Sequence, residues 1–191
     1  MIELMVTLTV AGVLLALALP NLRPFVQNSR LSSASNDLLR SLLIARAEAV
    51  KRQSGNVVVC ATADPTAADN ALTCSYGAFN GWFVFNDTNK NWQHDAGEPI
   101  IERHALLDSS VSARNDANGI VSYAPTGFAM LAGAETPSSN IVFCDQRGTV
   151  LLSGTDSAAR AVLIANTGRV RVTKTQTEVA AAVANTGSSC P

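Results

Sequence analysis

The chain has 191 residues, 47% of them apolar and 5% aromatic, enough to bury one ordinary core and hardly two. A formal net charge of −1 excludes a polycation that coats nucleic acid or anionic lipid with its whole surface, so any such contact must be local. The four cysteines lie far apart, with no Cys-x-x-Cys pair and no histidine at ligand spacing, which argues against a zinc site.

In chain order, Met1 to Leu19 comes first, with Glu3, Thr7 and Thr9 as its only polar side chains. As a helix this stretch is about 28 Å long, close to the thickness of a bilayer's hydrocarbon core. Ala16-Leu17-Ala18 also fits a signal-peptide cleavage site, but no basic segment precedes the apolar run, and helical periodicity resumes after Pro20 and Pro24. From about Val26 to Ser54, Leu31, Leu38, Leu42, Ala45 and Ala49 form one stripe, which Leu39, Leu43 and Val50 widen. Gly55 is the expected stop, with Lys51 and Arg52 in the last turn where the helix dipole favours cations. The pattern predicts one helix, kinked at its prolines: residues 1–25 as a transmembrane or filament-core half, 26–54 as an amphipathic half, and 55–191 as the head that packs on it. Glu3 is a carboxylate inside an apolar run, costly to bury unless it meets a cation, and is therefore a functional candidate.

Ile2-Glu3-Leu4-Met5, the apolar run, Pro20 and the later Ala45-Arg46-Ala47-Glu48-Ala49-Val50 resemble the N-terminus of type IV pilins, although Met1 stands where that family usually has Leu. The resemblance implies that Glu3 pairs with the N-terminal amine of a neighbouring subunit during assembly. It further implies a single-pass inner-membrane protein with a periplasmic head before incorporation into a pilus, with other pilin and minor pilin subunits as partners.

An even number of spaced cysteines behind an apolar N-terminus points to export and disulfides. Of three possible pairings, the favoured one joins Cys60 to Cys74 and Cys144 to Cys190, worth roughly 3 and 4 kcal/mol in the chain-entropy model. After Asn56 the pattern changes to short β-rich runs. The candidate strands are 56–60, 82–85, 99–106, 110–114, 120–123, 127–131, 140–144, 149–152, 161–165 and 169–173. Loops are expected at 63–70, 132–140 and 153–158, and no second long helix is expected. The fold class is therefore α+β: a long N-terminal helix on an antiparallel β-rich head with two disulfides. The Cys60-to-Cys74 loop, the Gly81-Trp82-Phe83-Val84-Phe85 strand and the Asp-rich turn after it resemble the GspH/FimT/FimU branch of pilin-like proteins.

Within that turn, Asp87, Asn89, Asn91, Asp95 and Glu98 occupy positions 1, 3, 5, 9 and 12 of an EF-hand-like frame, a weak calcium candidate. Trp92 takes the place of the usual glycine, and a hairpin tip held by Asx-turns explains the same residues without an ion. Asp95 with Glu98, or His94 and His104, could be read as acid and base, but no nucleophile or phosphate loop accompanies them, and neither an enzyme nor a cofactor is expected.

The most informative polar cluster lies near the C-terminus. Between Arg160 and Lys174 there are four cations and no acid. As a strand, the segment puts Arg169, Arg171 and Thr173 on one face, the two guanidinium groups leaving the backbone about 6.6 Å apart. That spacing suits successive phosphates; a solvated outer face of an edge strand is the plain alternative. Gly168-Arg169-Val170-Arg171 resembles the Gly-Arg-x-Arg motif of FimT-type minor pilins, which implies DNA binding during natural transformation through Arg169, Arg171, Lys174, Arg160 and Gly168. FimU-type and GspH-type heads carry a similar strand in a structural role. The alternative reading is accordingly a structural or priming minor pilin, or a minor pseudopilin of a type II secretion system, without DNA binding.

Overall fold

The computed structural model describes residues 2–75, 77–116, 118–130, 138–187 and 190, with backbone alone at 15–21 and 138. Helix α1, Ile2–Arg52, is continuous for 51 residues and runs through both prolines. The expected stripe is buried: Leu31, Leu38, Leu42, Ala45 and Ala49 are at most 2% exposed, and Ala34 joins them. Leu43, expected to widen that stripe, instead faces outward at 48% exposure, and Val50, 46% exposed, lies at its margin beside Gly127. The left-handed stop is Gln53, with φ of 56°, rather than Gly55. Gly55 has a different task, since a Cβ there would lie 2.4 Å from the carbonyl of Asp87. Lys51 and Arg52 both pair with Glu48, at 3.2 and 2.8 Å.

The head consists of two antiparallel sheets. The first has the order β3-β2-β1-β5-β6, built from β1 (Asn56–Ala61), β2 (Trp82–Asp87), β3 (Ile100–His104), β5 (Ile120–Tyr123) and β6 (Ala129–Met130). The second has the order β10-β9-β7-β4, from β4 (Ser112–Asn115), β7 (Ser138–Cys144), β9 (Asp156–Ala165) and β10 (Val170–Thr175). Strand β8 (Leu151–Ser153) pairs with the start of β9. Alternation along the strands decides what each face covers. Val57, Val59 and Ala61 of β1 and Ile141, Phe143 and Val162 of the second sheet join α1 in one core. On the outer face of the first sheet, Val58, Cys60, Phe83 and Phe85 lie under Leu72 and Cys74 of the disulfide loop. Trp82 fixes the seam, its indole N–H donating to the Ser41 hydroxyl of α1 at 2.9 Å in the buried interior.

Both disulfides form in the favoured pairing, Cys60 with Cys74 and Cys144 with Cys190, with Cα separations of 5.5 and 5.8 Å. Two expectations are corrected. An 11-residue helix α2, Gln176–Thr186, follows β10 and covers the outer face of the second sheet through Val179 and Ala182, ending at the left-handed Gly187. The expected loop at 153–158 shrinks to a tight turn at 154–155, because β9 begins at Asp156 and pairs back on β8. The expected loop at 132–140 lies mostly outside the described residues, as do the side chains of Ala16-Leu17-Ala18 and Pro20.

Candidate functional site

Strand β10 is the edge of its sheet, and its register with β9 puts Arg171 opposite Leu163 and Thr175 opposite Asp156. Val170 and Val172 turn toward the helix core, so Arg171 and Thr173 point to the outer face, where α2 lies. The basic cluster is therefore not a free solvated stripe. Arg171 forks onto Glu178 of α2 through two hydrogen bonds of 3.0 and 2.7 Å, and the hydroxyl of Thr173 donates to the same carboxylate. The two donors hold the Glu178 carboxyl down to about 2. Lys174 pairs with Asp156 at 2.6 Å. Arg160 is half-buried and turns its Nη1 onto the carbonyls of Ser157, Ala158 and Ala159, while burial pulls its pKa down. Arg169 is exposed, its carbonyl accepting from the Ala165 N–H at 2.9 Å, and among the described residues its side chain has no hydrogen-bond or ion-pair partner. With Arg171 it borders a recess of about 390 Å³ floored by Leu163 and Ile164 and edged by Ser139 and Asn140.

Gly168 is set by the scaffold. Its φ is +77°, and a Cβ there would stand 2.0 Å from the carbonyl oxygen of Gly127. Arg46 of α1 donates to that same oxygen at 3.1 Å and to the Thr167 carbonyl at 3.0 Å. Arg46 thereby ties the turn after β5 in one sheet to the β9–β10 turn in the other. In the sequence Arg46 is visible only as part of the Ala45-Arg46-Ala47-Glu48 run, and little there marks Glu178 or Asp156. The one available signal was the Thr175-x-x-Glu178 spacing of a capping box. Here, however, Thr175 makes no side-chain cap bond, and Glu178 turns to Arg171.

The Asp-rich turn brings its five candidate residues together by hydrogen bonds within the loop. Fully buried Asp87 accepts from the N–H groups of Asn91 and Trp92 at 3.2 and 2.9 Å. Burial raises its pKa against the pull of those bonds. Glu98 accepts from the backbone N–H groups of Thr88 and Asp95 at 2.8 and 3.1 Å. Asp95 accepts from the side-chain amides of Asn89 and Asn91, which lower its pKa. No group of three His, Cys, Asp or Glu among the described residues is placed to hold a metal ion. His94 stands edge-on to Phe83 and Phe85, at 5.6 and 5.2 Å, with its ring nitrogens against backbone carbonyls. His104 stacks on Trp82 at 3.8 Å. Its Nε2 also lies 3.6 Å from the Asp37 carboxylate of α1.

At the other end of the molecule, the described side chains at the apolar start of α1 are exposed. Ile2, Leu4, Met5, Leu8, Val13 and Leu14 are between 60% and 78% exposed, and Glu3 lies among them, exposed as well. Among the described residues no helix is long and apolar enough to cross a membrane. The sequence expectation of a span over Met1 to Leu19 falls partly on 15–21, whose side chains are outside that description.

Comparison with known proteins places this geometry. Two crystal structures of the type IV minor pilin FimU from Pseudomonas aeruginosa (strain PAO1) share the fold at 18% identity. The one in space group P65 covers 75% of this chain and 92% of FimU with a TM-score of 0.52. The one in P21 covers 78% and 92% with a TM-score of 0.54. At that identity the likeness speaks for the fold alone. No curated protein matches the chain. The family model described as type II transport protein GspH matches residues 34–168, from the buried half of α1 through both sheets to the glycine before β10, and by that match over well more than half its length this chain belongs to the GspH family.

Proposed function

We propose that the chain is a minor subunit of a type IV pilus or of a type II secretion pseudopilus. The front of α1 holds it in the inner membrane before assembly, the head lies in the periplasm, and other pilin subunits are its partners. Residues 1–25 serve as anchor and filament core, 26–54 as the half of the helix that carries the head, and 55–191 as the head. The observation that carries this reading is the mismatch between α1 and its head: the helix is continuous from Ile2, yet among the described residues its first side-chain hydrogen bond to the head is at Asn28. An apolar rod that no intramolecular surface covers needs lipid or neighbouring helices around it. Glu3 is the carboxylate that a neighbour's N-terminal amine neutralises, which fixes register. The test is expression of the full chain with Glu3→Ala in a piliated or secreting host. Loss of the subunit from sheared filaments, with the protein still at wild-type level in the membrane fraction, supports the reading; undiminished incorporation refutes the role of Glu3.

A second function of the same subunit, DNA contact at β10, is favoured by one observation: Arg169 is exposed and unpaired beside Arg171. Glu178 and Asp156 already neutralise two of the four cations of the cluster, so the contact is small. With about two phosphates engaged, affinity for duplex DNA falls roughly tenfold between about 50 and 200 mM salt, without strong base preference. Gel retardation that survives Arg169→Gln with Arg171→Gln refutes the assignment, and absence of retardation in the wild-type chain at low salt leaves the structural subunit alone.

A further inference from the structure

Helix α2 meets the basic strand as a strap fixed at both ends. It leaves β10 at Thr175, buries Val179 and Ala182 in one cluster with Val142 of β7 and Ala159 and Ala161 of β9, and is joined at its far end to β7 by the bond from Cys190 to Cys144. Its first turn carries the contact with the cations. Glu178 takes both terminal amino groups of Arg171, at 3.0 and 2.7 Å, and the Thr173 hydroxyl donates to the same carboxylate. Yet the two charged side chains are 47% and 37% exposed, so the pair stands in water, and α2 has its other attachments to keep it in place. What the pair decides is charge. Arg169 and Arg171 border the same recess, but of the two only Arg169 brings it an uncompensated cation among the described residues.

The fork that Arg171 gives to Glu178 is the fork it would give to a phosphate. Carboxylate and phosphate both accept two parallel N–H bonds from a guanidinium. A phosphate arriving alone competes poorly, because the strap keeps Glu178 within side-chain reach of Arg171, at an effective concentration on the order of millimolar or more. A phosphate covalently next to one already held on Arg169 competes on equal terms, since it too arrives as part of the same complex, and the two arginines leave the strand about 6.6 Å apart. The exchange needs only a turn of the Glu178 side chain toward water.

We propose that Glu178 is a built-in competitor of phosphate on β10: it fills the Arg171 fork in the free subunit and yields it to a polyanion whose neighbouring phosphate sits on Arg169. The inference rests on the DNA reading of β10 given above and adds a brake on affinity to it.

The test measures binding of a labelled DNA duplex to the full chain in detergent micelles by fluorescence anisotropy, at about 50 and about 200 mM salt. Glu178→Gln keeps the shape of the side chain and removes its charge, and is expected to tighten binding at least about threefold at the lower salt. In an Arg171→Gln background the same change is expected to give no gain, because the fork it frees is gone. Glu178→Asp draws the carboxylate back by one methylene and is expected to give a smaller gain of the same sign; it carries the test if the Gln variant does not melt cooperatively. Unchanged or weaker binding by both variants overturns the competition and, where Arg169→Gln still weakens binding, leaves the DNA reading standing. A gain that persists in the Arg171→Gln background assigns the effect to bulk charge and overturns the competition as well. No binding by the wild type or by any variant overturns both.

Discussion

Replacing Gly168 with alanine separates the structural from the recognition role of the Gly-Arg-Val-Arg segment. Two costs add at this position. An L-residue at φ of +77° is strained by about 1 to 2 kcal/mol. Independently, the new Cβ would stand 2.0 Å from the Gly127 carbonyl oxygen and 3.0 Å from Nε of Arg46. The carbonyl must retreat, and its 3.1 Å bond from Arg46 goes with it; a hydrogen bond to a charged group is worth about 1.5 to 3 kcal/mol. Gly168→Ala is therefore expected to destabilise the chain by about 3 to 5 kcal/mol. Gly154→Ala is the control, because φ there is +56° and nothing lies within 4 Å, leaving about 1 to 2 kcal/mol of strain alone. Urea denaturation of both variants with disulfides intact, followed by tryptophan emission, measures the difference. Equal losses in the two variants would refute the close approach as the reason for glycine. A fall in DNA binding by Gly168→Ala would likewise say nothing about phosphate contact unless stability were restored first.

Leu38→Ala is expected to cost about 2 to 5 kcal/mol in denaturation, since Leu38 is fully buried between helix and sheets, whereas Leu43→Ala, half-exposed, should cost under about 1 kcal/mol in the unassembled chain. Cys144→Ser with Cys190→Ser should lower stability by about 4 kcal/mol and leave the end of α2 frayed, read by denaturation and amide exchange. Glu178, held down to about 2 from an ordinary 4.5, stabilises the contact between α2 and β10 at all pH values above 4.5; that stabilisation fades as pH falls through about 2. Carboxyl-carbon NMR titration should find that low midpoint, and Arg171→Gln should return it toward 4.5.

The long helix was legible because its signal is redundant: Leu31, Leu38, Leu42, Ala45 and Ala49 repeat at helical spacing, and all of them are buried. The strands were legible in position for the same reason, with Val57, Val59 and Val58, Cys60 alternating between two cores. Helix α2 was not, because its buried side is carried by Val179 and Ala182 within an alanine-rich run, a weak contrast to its polar side. Nor could periodicity tell that Leu43 faces outward, since width of burial on a helix is set by what packs against it.

The basic cluster shows where counting along the chain misleads. From Arg160 to Lys174 no acid interrupts the cations, yet in the fold Lys174 and Arg171 each sit on a carboxylate from just outside that interval. Antiparallel pairing is the reason for one: a strand that turns back at Gly168 brings Asp156, at the far end of β9, beside Thr175 and hence beside Lys174. The return of α2 over the outer face is the reason for the other, since a helix that starts at Gln176 and climbs back over β10 carries Glu178 to Arg171 within its first turn. Both neutralising contacts are consequences of chain reversal within a few residues of the cluster's ends, so the charge that a partner meets is smaller than the charge in the sequence. Arg160 turns onto backbone carbonyls instead, which leaves Arg169, at the reversal itself, as the cation of the cluster whose side chain meets neither a carboxylate nor a carbonyl among the described residues.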